Sequence, residues 1–305
     1  MLYDVIIIGG GPAGLTAGIY TSRSKLKTLI LDQGMPGGQL ILTHEIANYP
    51  GAESLSGYML ASKMLQQAKS FGCEVKSNAK IKDLHLQGSI KKISLENGDV
   101  FESKSIIIAT GGISREIGAS NEKELKGRGV SYCATCDGDF FQDKNIIAVG
   151  GGNSALEEAV SLTKYASSVT IVHMLDNFQA FDYAVKEAKE NPKINFVMES
   201  RITKFIGNER LEAVEIEHIP TGEKREQKID GVFVFIGYVP NTKFLEGKVA
   251  LNERGEIKVT RDLETNIEGV FAAGDSIEKK YRQVTIATGE GTIAALSAAE
   301  FVHRN

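Results

Sequence analysis

The chain has 305 residues, of which 42% are hydrophobic and 24% are charged, and its formal net charge is -4. This length exceeds what one hydrophobic core usually supports, so we expect two domains. The small charge of mixed sign argues against nucleic acid or an anionic membrane as a partner. Residues 1–8 carry no basic leader, and no apolar run approaches the ~18 residues of a membrane span, so we expect a cytoplasmic protein.

The first predicted elements, in residues 4–32, are a strand, a glycine-rich loop, a helix and a second strand. The loop has the pattern Gly-x-Gly-x-x-Gly at Gly9, Gly11 and Gly14. Glycines at this spacing permit a tight turn and let the backbone approach a pyrophosphate, whose charge is stabilised at the helix N-terminus. Asp32 ends the second strand, where a carboxylate commonly binds a ribose hydroxyl. The pattern predicts a dinucleotide site.

Two cysteines lie close together in Ser131-Tyr-Cys-Ala-Thr-Cys-Asp-Gly138. Cys133 and Cys136 can close into a small, easily reduced disulfide, which suits a carrier of two electrons. A zinc site would need about four ligands, and Cys73 and the five histidines supply no second pair at metal spacing, so we expect no bound metal. A buried pair of inert thiols is the other alternative. With only three cysteines and no secretory leader, a redox pair is the favoured interpretation.

The strand, loop and helix of residues 4–15 recur in residues 145–156, which predicts a second nucleotide-binding unit. Its second strand ends at His173, followed by Met-Leu. This strand tip offers neither an acid for a ribose hydroxyl nor arginines for a 2′-phosphate. The neighbouring Asp176, or a loop, is the alternative source of such a contact.

Three other segments suit a flavin. Residues 106–112 predict a buried strand that ends at glycines beside the first loop. Residues 269–275 predict another strand, ending in Asp275, which can bind a polyol such as the ribityl chain of a flavin. Residues 285–296 predict a helix whose N-terminal dipole can stabilise a reduced, anionic ring.

Because the second glycine loop interrupts the predicted flavin unit, we place one domain at residues 1–113 and 243–305 and an inserted domain at residues 114–242. The joints, at residues 111–114 and 237–241, are rich in turn residues. The predicted fold class is α/β, with two Rossmann-like dinucleotide-binding domains, the second inserted into the first. The inserted domain carries the cysteine pair.

Eight short motifs follow one another along the chain: Gly9-Gly-Gly-Pro-Ala-Gly14, Gly37-Gly-Gln-Leu40, Asn48-Tyr-Pro-Gly51, Ala109-Thr-Gly111, Cys133-Ala-Thr-Cys-Asp-Gly138, Gly150-Gly-Gly-Asn153, Gly274-Asp275 and Tyr281-Arg-Gln283. Together they resemble the motifs of the low-molecular-weight thioredoxin reductases, and the resemblance spans nearly the whole chain. It implies FAD in the first domain, thioredoxin as the acceptor and a homodimer. It also implies a cysteine pair that alternates between flavin and thioredoxin by domain rotation.

The resemblance assigns roles to individual residues. Cys136 would face the flavin, Cys133 would attack the disulfide of thioredoxin, and Asp137 would be the acid–base group. Thiol chemistry agrees, because a thiolate is the nucleophile and a neighbouring carboxyl can give a proton to the leaving sulfur. The predicted cofactor-binding residues are Gly9, Gly11, Pro12, Ala13, Gly14, Asp32, Gly38, Gln39, Leu40, Asn48, Ala109, Thr110, Gly111, Gly274, Asp275, Arg282, Gln283 and Val284.

One segment departs from the family pattern. NADPH-dependent members carry His-Arg-Arg-x-x-x-Arg after the second nucleotide strand, whereas this chain has His173-Met-Leu-Asp-Asn-Phe-Gln179. Each charge-assisted contact to phosphate contributes about 1.5–3 kcal/mol, so the absence of three arginines argues against NADPH as the donor, and no acid favours NADH. In this respect the sequence resembles the ferredoxin-dependent flavin thioredoxin reductases, which implies reduced ferredoxin as the donor. Lys279-Lys280-Tyr-Arg282 is a candidate docking site for an acidic ferredoxin, or a solvated turn.

The sequence leaves other functions open. The first alternative is the same disulfide chemistry driven by NADPH or NADH. The others are a flavin oxidase or a ferredoxin-NADP-type reductase with idle cysteines, and a non-catalytic flavin-binding sensor. Reduction of the flavin by each donor, and the effect of Cys136→Ser, distinguish them.

Overall fold

The computed structural model describes residues 2–43 and 46–304, so Met1, His44, Glu45 and Asn305 lie outside the described residues. The chain divides into two compact units. Unit 1 comprises Met1–Ile113 and Val239–Asn305, and unit 2 comprises Ser114–Tyr238. Unit 2 is therefore inserted, in chain order, between the two segments of unit 1.

The second division between the units lies at Tyr238/Val239, whereas the sequence placed it at 242/243. Hydrogen bonds account for the difference. Asn241 N donates to Gly111 O over 2.9 Å, and Asn241 Nδ2 donates to Thr110 O over 3.1 Å. These bonds tie the residues after Tyr238 to unit 1. The assignment of unit 1 to FAD and of unit 2 to a nicotinamide nucleotide stays a prediction.

The helices and strands follow the chain in three groups. The first group is β1 (Leu2–Ile8), α1 (Pro12–Arg23), β2 (Thr28–Leu31), α2 (Gly57–Ser70), β3 (Glu74–Lys76), β4 (Ile81–His85), β5 (Lys91–Leu95), β6 (Val100–Ile108) and β7 (Gly112–Ser114). The second is β8 (Val130–Ser131), α3 (Ala134–Asp137), β9 (Asn145–Val149), α4 (Asn153–Leu162), β10 (Ser168–Val172), α5 (Asp182–Glu190), β11 (Ile194–Val197), β12 (Ser200–Ile206), β13 (Ala213–His218), β14 (Lys224–Lys228) and β15 (Gly231–Val234). The third is β16 (Tyr238–Pro240), β17 (Val270–Ala272) and α6 (Val284–Arg304).

Unit 1 is built on a sheet in the order β3-β2-β1-β6-β5-β4, with β17 also paired to β6. The strands β1, β2, β3, β6 and β17 are parallel, and β4 and β5 are antiparallel to their neighbours. Ile8 pairs with Leu31 and with Ile108, and Ile108 pairs with Ala272. The residues that follow these four therefore emerge at one edge of the sheet: Gly9, Asp32, Ala109 and Ala273.

The apolar runs of β1 and β6 are buried on both faces, as expected for the centre of a parallel sheet. Helix α1 packs against both α2 and α6. Glycine permits close backbone contacts of α1 at two points, one with the loop after β1 and one with α6. A Cβ on Gly14 would lie 1.9 Å from Gly9 O, and a Cβ on Gly291 would lie 2.2 Å from Ala13 O. Unit 1 thus depends on direct contact between backbones at the start of α1.

Unit 2 combines a parallel sheet, in the order β11-β10-β9-β15-β8, with an antiparallel sheet, β12-β13-β14. Alternate residues of β9 belong to two different hydrophobic cores. Ile147 and Val149 belong to a core with residues of β12 and β13, whereas Ile146 and Ala148 belong to a core with α4 and α5. This division arises because successive side chains of a strand point to opposite faces of the sheet.

Both predicted strand, loop, helix and strand repeats are confirmed, as β1-α1-β2 and β9-α4-β10, and so is the α/β fold class. Among the residues that the structure describes, no helix is both long enough and apolar enough to cross a membrane.

We expect Gly291→Ala to destabilise unit 1, although alanine is the better helix former by about 1 kcal/mol. The new methyl would collide with Ala13 O, and overpacking of this kind costs about 1–3 kcal/mol. Gly289→Ala is the matched control, because it lies on the same helix and its Cβ would meet nothing within 4 Å. Thermal unfolding followed by circular dichroism should show a lower midpoint for Gly291→Ala alone. Equal midpoints for the two variants would contradict the packing described.

Candidate active site

The predicted redox pair is a disulfide, with a Cα–Cα distance of 5.3 Å between Cys133 and Cys136. Both residues are half-buried. The pair follows β8, whose Ser131 is in register with Phe233 of β15, next to the last residue of that strand. The cysteines therefore lie at the carboxyl edge of the parallel sheet, the edge where ligands of such sheets usually bind.

Cys133 is the N-cap of the short helix α3, and its Sγ accepts a hydrogen bond from Cys136 N over 3.2 Å. After reduction, a backbone N–H directed at this sulfur favours the thiolate over the thiol. The role of Cys133 as the attacking nucleophile stays a prediction. The third cysteine, Cys73, differs, because burial raises its pKa to about 12 and keeps it a neutral thiol.

Asp137, at the end of α3, is the acid nearest the pair in the sequence. Burial raises the pKa of its carboxyl, a hydrogen bond from Ser131 opposes that shift, and the charge of Asp139 adds to it. The carboxyl therefore keeps its proton to a higher pH than an exposed aspartate does. A carboxyl with a raised pKa is better suited than an exposed aspartate to exchange a proton with a thiol.

A buried carboxylate that the sequence did not predict holds the chain segment that precedes the cysteine pair. Glu122 is 2% exposed, and it accepts hydrogen bonds from Ile117 N over 3.0 Å, Gly118 N over 2.8 Å and Tyr132 Oη over 2.8 Å. Burial, together with Glu122, raises the pKa of the Tyr132 hydroxyl, so Tyr132 remains a donor. These bonds fix the residue immediately before Cys133.

Gly138 allows the end of α3 to pack closely. A Cβ at this position would lie 3.1 Å from the ring of Tyr165 and 3.2 Å from Leu162 Cδ2. These contacts tie the cysteine-bearing turn to the end of α4 and the residues after it. The glycine that ends the predicted Cys-x-x-Cys-Asp-Gly motif is therefore explained by packing.

The carboxyl edge of the unit 1 sheet has the features of a dinucleotide site. The N-terminus of α1 has no side-chain cap, and Gly11 has open space where a side chain would be, since a Cβ there would meet only Gly38 Cα, at 3.9 Å. Asp32 accepts hydrogen bonds from Gly10 N over 2.7 Å and Gly34 N over 2.8 Å. Each carboxylate oxygen keeps a lone pair for a ribose hydroxyl.

Two polar atoms at the same edge lack hydrogen-bond partners within the described part of the chain. They are the buried Thr110 Oγ1 and Asp275 Oδ1. Thr110 follows β6 and Asp275 follows β17, and these strands are paired. Asp275 Oδ1 has an ion-pair partner, Lys279 Nζ at 3.3 Å, whereas Thr110 Oγ1 is unsatisfied. A buried oxygen without a hydrogen bond is costly, so Thr110 fits a polar ligand such as the ribityl chain of FAD.

Residues 279–282 were the predicted docking site for ferredoxin. The prediction of an exposed basic surface there is wrong for two of the three cations. The Lys279 side chain is only 9% exposed, and its Nζ lies 2.5 Å from Glu290 Oε2 and 3.3 Å from Asp275 Oδ1. Arg282 is paired with the buried Glu256. Both charges are thus used inside unit 1, and only Lys280 is exposed. The charge pattern suggested a surface patch because Glu290 and Glu256 lie 11 and 26 residues from the cations with which they pair.

The remaining predicted cofactor residues fall into two groups. Contacts at the glycine loop bring together Gly9, Gly11, Pro12, Ala13, Gly14, Gly38, Ala109, Thr110 and Gly274. Leu40 is buried, Gln39 and Asn48 are exposed, and Gly111, Gln283 and Val284 are half-buried. For both groups a role in cofactor binding stays a prediction.

The second glycine loop, in unit 2, contacts the residues after β10. A Cβ on Gly151 would lie 2.2 Å from His173 Cε1, and Gln179 N donates to Gly151 O over 2.8 Å. His173 is 7% exposed and is turned into the unit. Met174 and Leu175 are 56% and 45% exposed at the strand tip. The two residues directly after His173 are therefore exposed and apolar, and the exposed acid Asp176 follows them.

Comparison with known proteins agrees with this geometry. Residues 3–291 match the model of the pyridine nucleotide-disulphide oxidoreductase family. A thioredoxin reductase of Bacillus subtilis is 45% identical, with 99% of this chain and 95% of the relative covered. A thioredoxin reductase of Peptoclostridium acidaminophilum is 44% identical, with 100% and 98% covered.

A solved structure gives the same result. The crystal structure of thioredoxin reductase from Streptococcus pyogenes matches with a TM-score of 0.96 and 38% identity, over 100% of this chain and 99% of that chain. The chain belongs to the pyridine nucleotide-disulphide oxidoreductase family and, within it, to the thioredoxin reductases, which are flavin-dependent disulfide oxidoreductases.

Proposed function

We propose that unit 1 binds FAD and that the Cys133–Cys136 pair passes electrons from the flavin to the disulfide of thioredoxin. The observation that carries this proposal is a half-buried disulfide at the start of α3, with the half-buried carboxyl of Asp137 next to it in sequence. When bound, FAD supplies the two-electron chemistry.

The residues at the edge of the unit 1 sheet fit FAD. The uncapped N-terminus of α1, with Gly11, would hold the pyrophosphate, and Asp32 would accept from a ribose hydroxyl. Thr110 Oγ1 and Asp275 Oδ1 would bind the ribityl chain. We assign supporting contacts to the other predicted residues, which are Gly38, Gln39, Leu40, Asn48, Gly111, Arg282, Gln283 and Val284.

Cys133, Cys136 and Asp137 each have a defined role in the proposed reaction. Reduction of the disulfide takes up two electrons and two protons and yields two thiols. The Cys133 thiolate then attacks a sulfur of the thioredoxin disulfide and forms a mixed disulfide. Asp137 takes the proton of Cys136, whose sulfur attacks Cys133 and releases reduced thioredoxin. In the opposite direction, Asp137 returns the proton to Cys136 as that sulfur leaves.

We expect Cys133→Ser and Cys136→Ser each to abolish thioredoxin reduction, because each removes one sulfur of the relay. Cys73→Ala is the control, since Cys73 is 4% exposed and its raised pKa keeps it inert. The measurement is reduction of thioredoxin disulfide by the pre-reduced enzyme. Undiminished reduction by Cys136→Ser would instead favour a flavin oxidase or ferredoxin-NADP-type reductase with idle cysteines.

For the donor we propose a nicotinamide nucleotide. Its support is that the relatives are thioredoxin reductases of a pyridine nucleotide family and that unit 2 has a glycine loop before an uncapped α4. Reduced ferredoxin is a second candidate donor, because Met174 and Leu175 are exposed at the strand tip where arginines would otherwise bind the 2′-phosphate of NADPH.

Anaerobic mixing of the FAD-loaded enzyme with NADPH, NADH and reduced ferredoxin, in parallel, separates the two donors. We expect flavin reduction by nicotinamide nucleotides with no strong preference for NADPH, because the strand tip has no cation for the 2′-phosphate. Rapid reduction by ferredoxin, with neither nucleotide active, would replace the first candidate by the second.

Arginines placed after β10 should improve the binding of NADPH. Met174→Arg combined with Gln179→Arg should raise the affinity for NADPH at least about tenfold, since each charged contact to phosphate contributes about 1.5–3 kcal/mol. The affinity for NADH should change little. Ile219→Arg adds a cation at another exposed position of unit 2 and is the control. Equal gains for both nucleotides would show that the arginines do not contact the 2′-phosphate.

We further propose a homodimer and a cytoplasmic location, both from the resemblance to the thioredoxin reductases. Light scattering of the purified enzyme tests the first. A mass of one chain would contradict it.

A further inference from the structure

A single hydroxyl group connects the cysteine pair to the neighbouring acid. Ser131, the last residue of β8, is 5% exposed. Its Oγ accepts a hydrogen bond from Cys133 N over 3.1 Å and lies 2.5 Å from Asp137 Oδ2. A second acceptor within reach, Cys133 O, is farther away at 3.4 Å. Because a hydroxyl has one proton, the shorter distance assigns that proton to Asp137.

We propose that Ser131 is a positioning residue for proton transfer at the disulfide, holding the Asp137 carboxyl in place beside the cysteine pair. This inference rests on the proposed function. The backbone N of Asp137 donates to Cys133 O over 3.2 Å, but this bond leaves the carboxyl free to rotate. The bond from Ser131 removes that freedom. A displacement of about 1 Å at a reacting group can lower a rate on the order of 10²-fold.

The hydrogen bond from Ser131 also influences the pKa of the Asp137 carboxyl. A donated hydrogen bond stabilises the carboxylate and so lowers the pKa of Asp137, against the larger effect of burial. Removal of the hydroxyl should therefore raise this pKa further. When the dithiol reduces thioredoxin, Asp137 must be ionised to take the proton of Cys136, so the step would require a higher pH.

Ser131→Ala tests the proposal in a single turnover. Enzyme reduced anaerobically with dithionite is mixed with oxidised thioredoxin, and the rate of thioredoxin reduction is measured across pH. We expect a rate about tenfold lower, the effect of losing one hydrogen bond to a charged group, and a rising limb displaced upward by on the order of one pH unit. Ser131→Thr keeps the hydroxyl and should restore both.

Two further variants separate positioning from general stability. Ser200→Ala removes a hydroxyl of unit 2 that is equally buried, at 4% exposed, and donates to Met198 O, so its pH profile should match that of the wild type. Ser131→Ala should have no added effect in an Asp137→Asn background, since the hydroxyl acts through the carboxyl.

A Ser131→Ala profile that superimposes on that of Ser200→Ala would overturn the inference, as would additive effects in the double variant. Failure of the proposed function gives a different result. In that case the wild-type dithiol would not reduce thioredoxin at all.

Discussion

Close packing of one backbone against another, where parallel strands end in glycine loops, is the constraint on which both units depend. In unit 1, a Cβ on Gly14 would lie 1.9 Å from Gly9 O. In unit 2, a Cβ on Gly150 would lie 2.5 Å from Phe235 O. Because glycine leaves this space, a loop of three residues is enough to connect β1 to α1 and β9 to α4. The N-terminal N–H groups of both helices are free of side-chain caps. Each helix start is thereby available to an anionic group.

The chemistry of the redox site follows from small differences in environment. Cys73 is buried, and burial keeps it a neutral thiol, whereas the sulfur of Cys133 faces the N–H of Cys136 at the start of α3. Asp137 has opposing influences, since burial favours its neutral form and the Ser131 hydroxyl favours its charged form. A carboxyl balanced in this way can both accept and return a proton, which disulfide exchange requires in its two directions.

The sequence predicted those features that are encoded locally. The repeat of residues 4–15 at 145–156 led to both nucleotide-binding units and to the fold class, because glycine spacing and apolar runs are visible within a short window. Partners that are distant in sequence were not predictable. Arg282 pairs with Glu256, and Lys279 with Glu290, so two of the three cations in a loop that looked like a basic surface are held in ion pairs within unit 1. The bonds of Glu122 gave no signal, since its charge alone predicts a solvated residue.

If the cysteine pair and the flavin form one relay, both must take up electrons, so the number of electrons that each chain accepts is a direct test. In an anaerobic titration of the FAD-loaded enzyme with dithionite, we expect uptake of two electron pairs per chain, one by the flavin and one by the disulfide. Subsequent addition of oxidised thioredoxin should withdraw electrons from the enzyme. Uptake of a single pair, or a fully reduced enzyme that thioredoxin cannot reoxidise, would exclude such a relay.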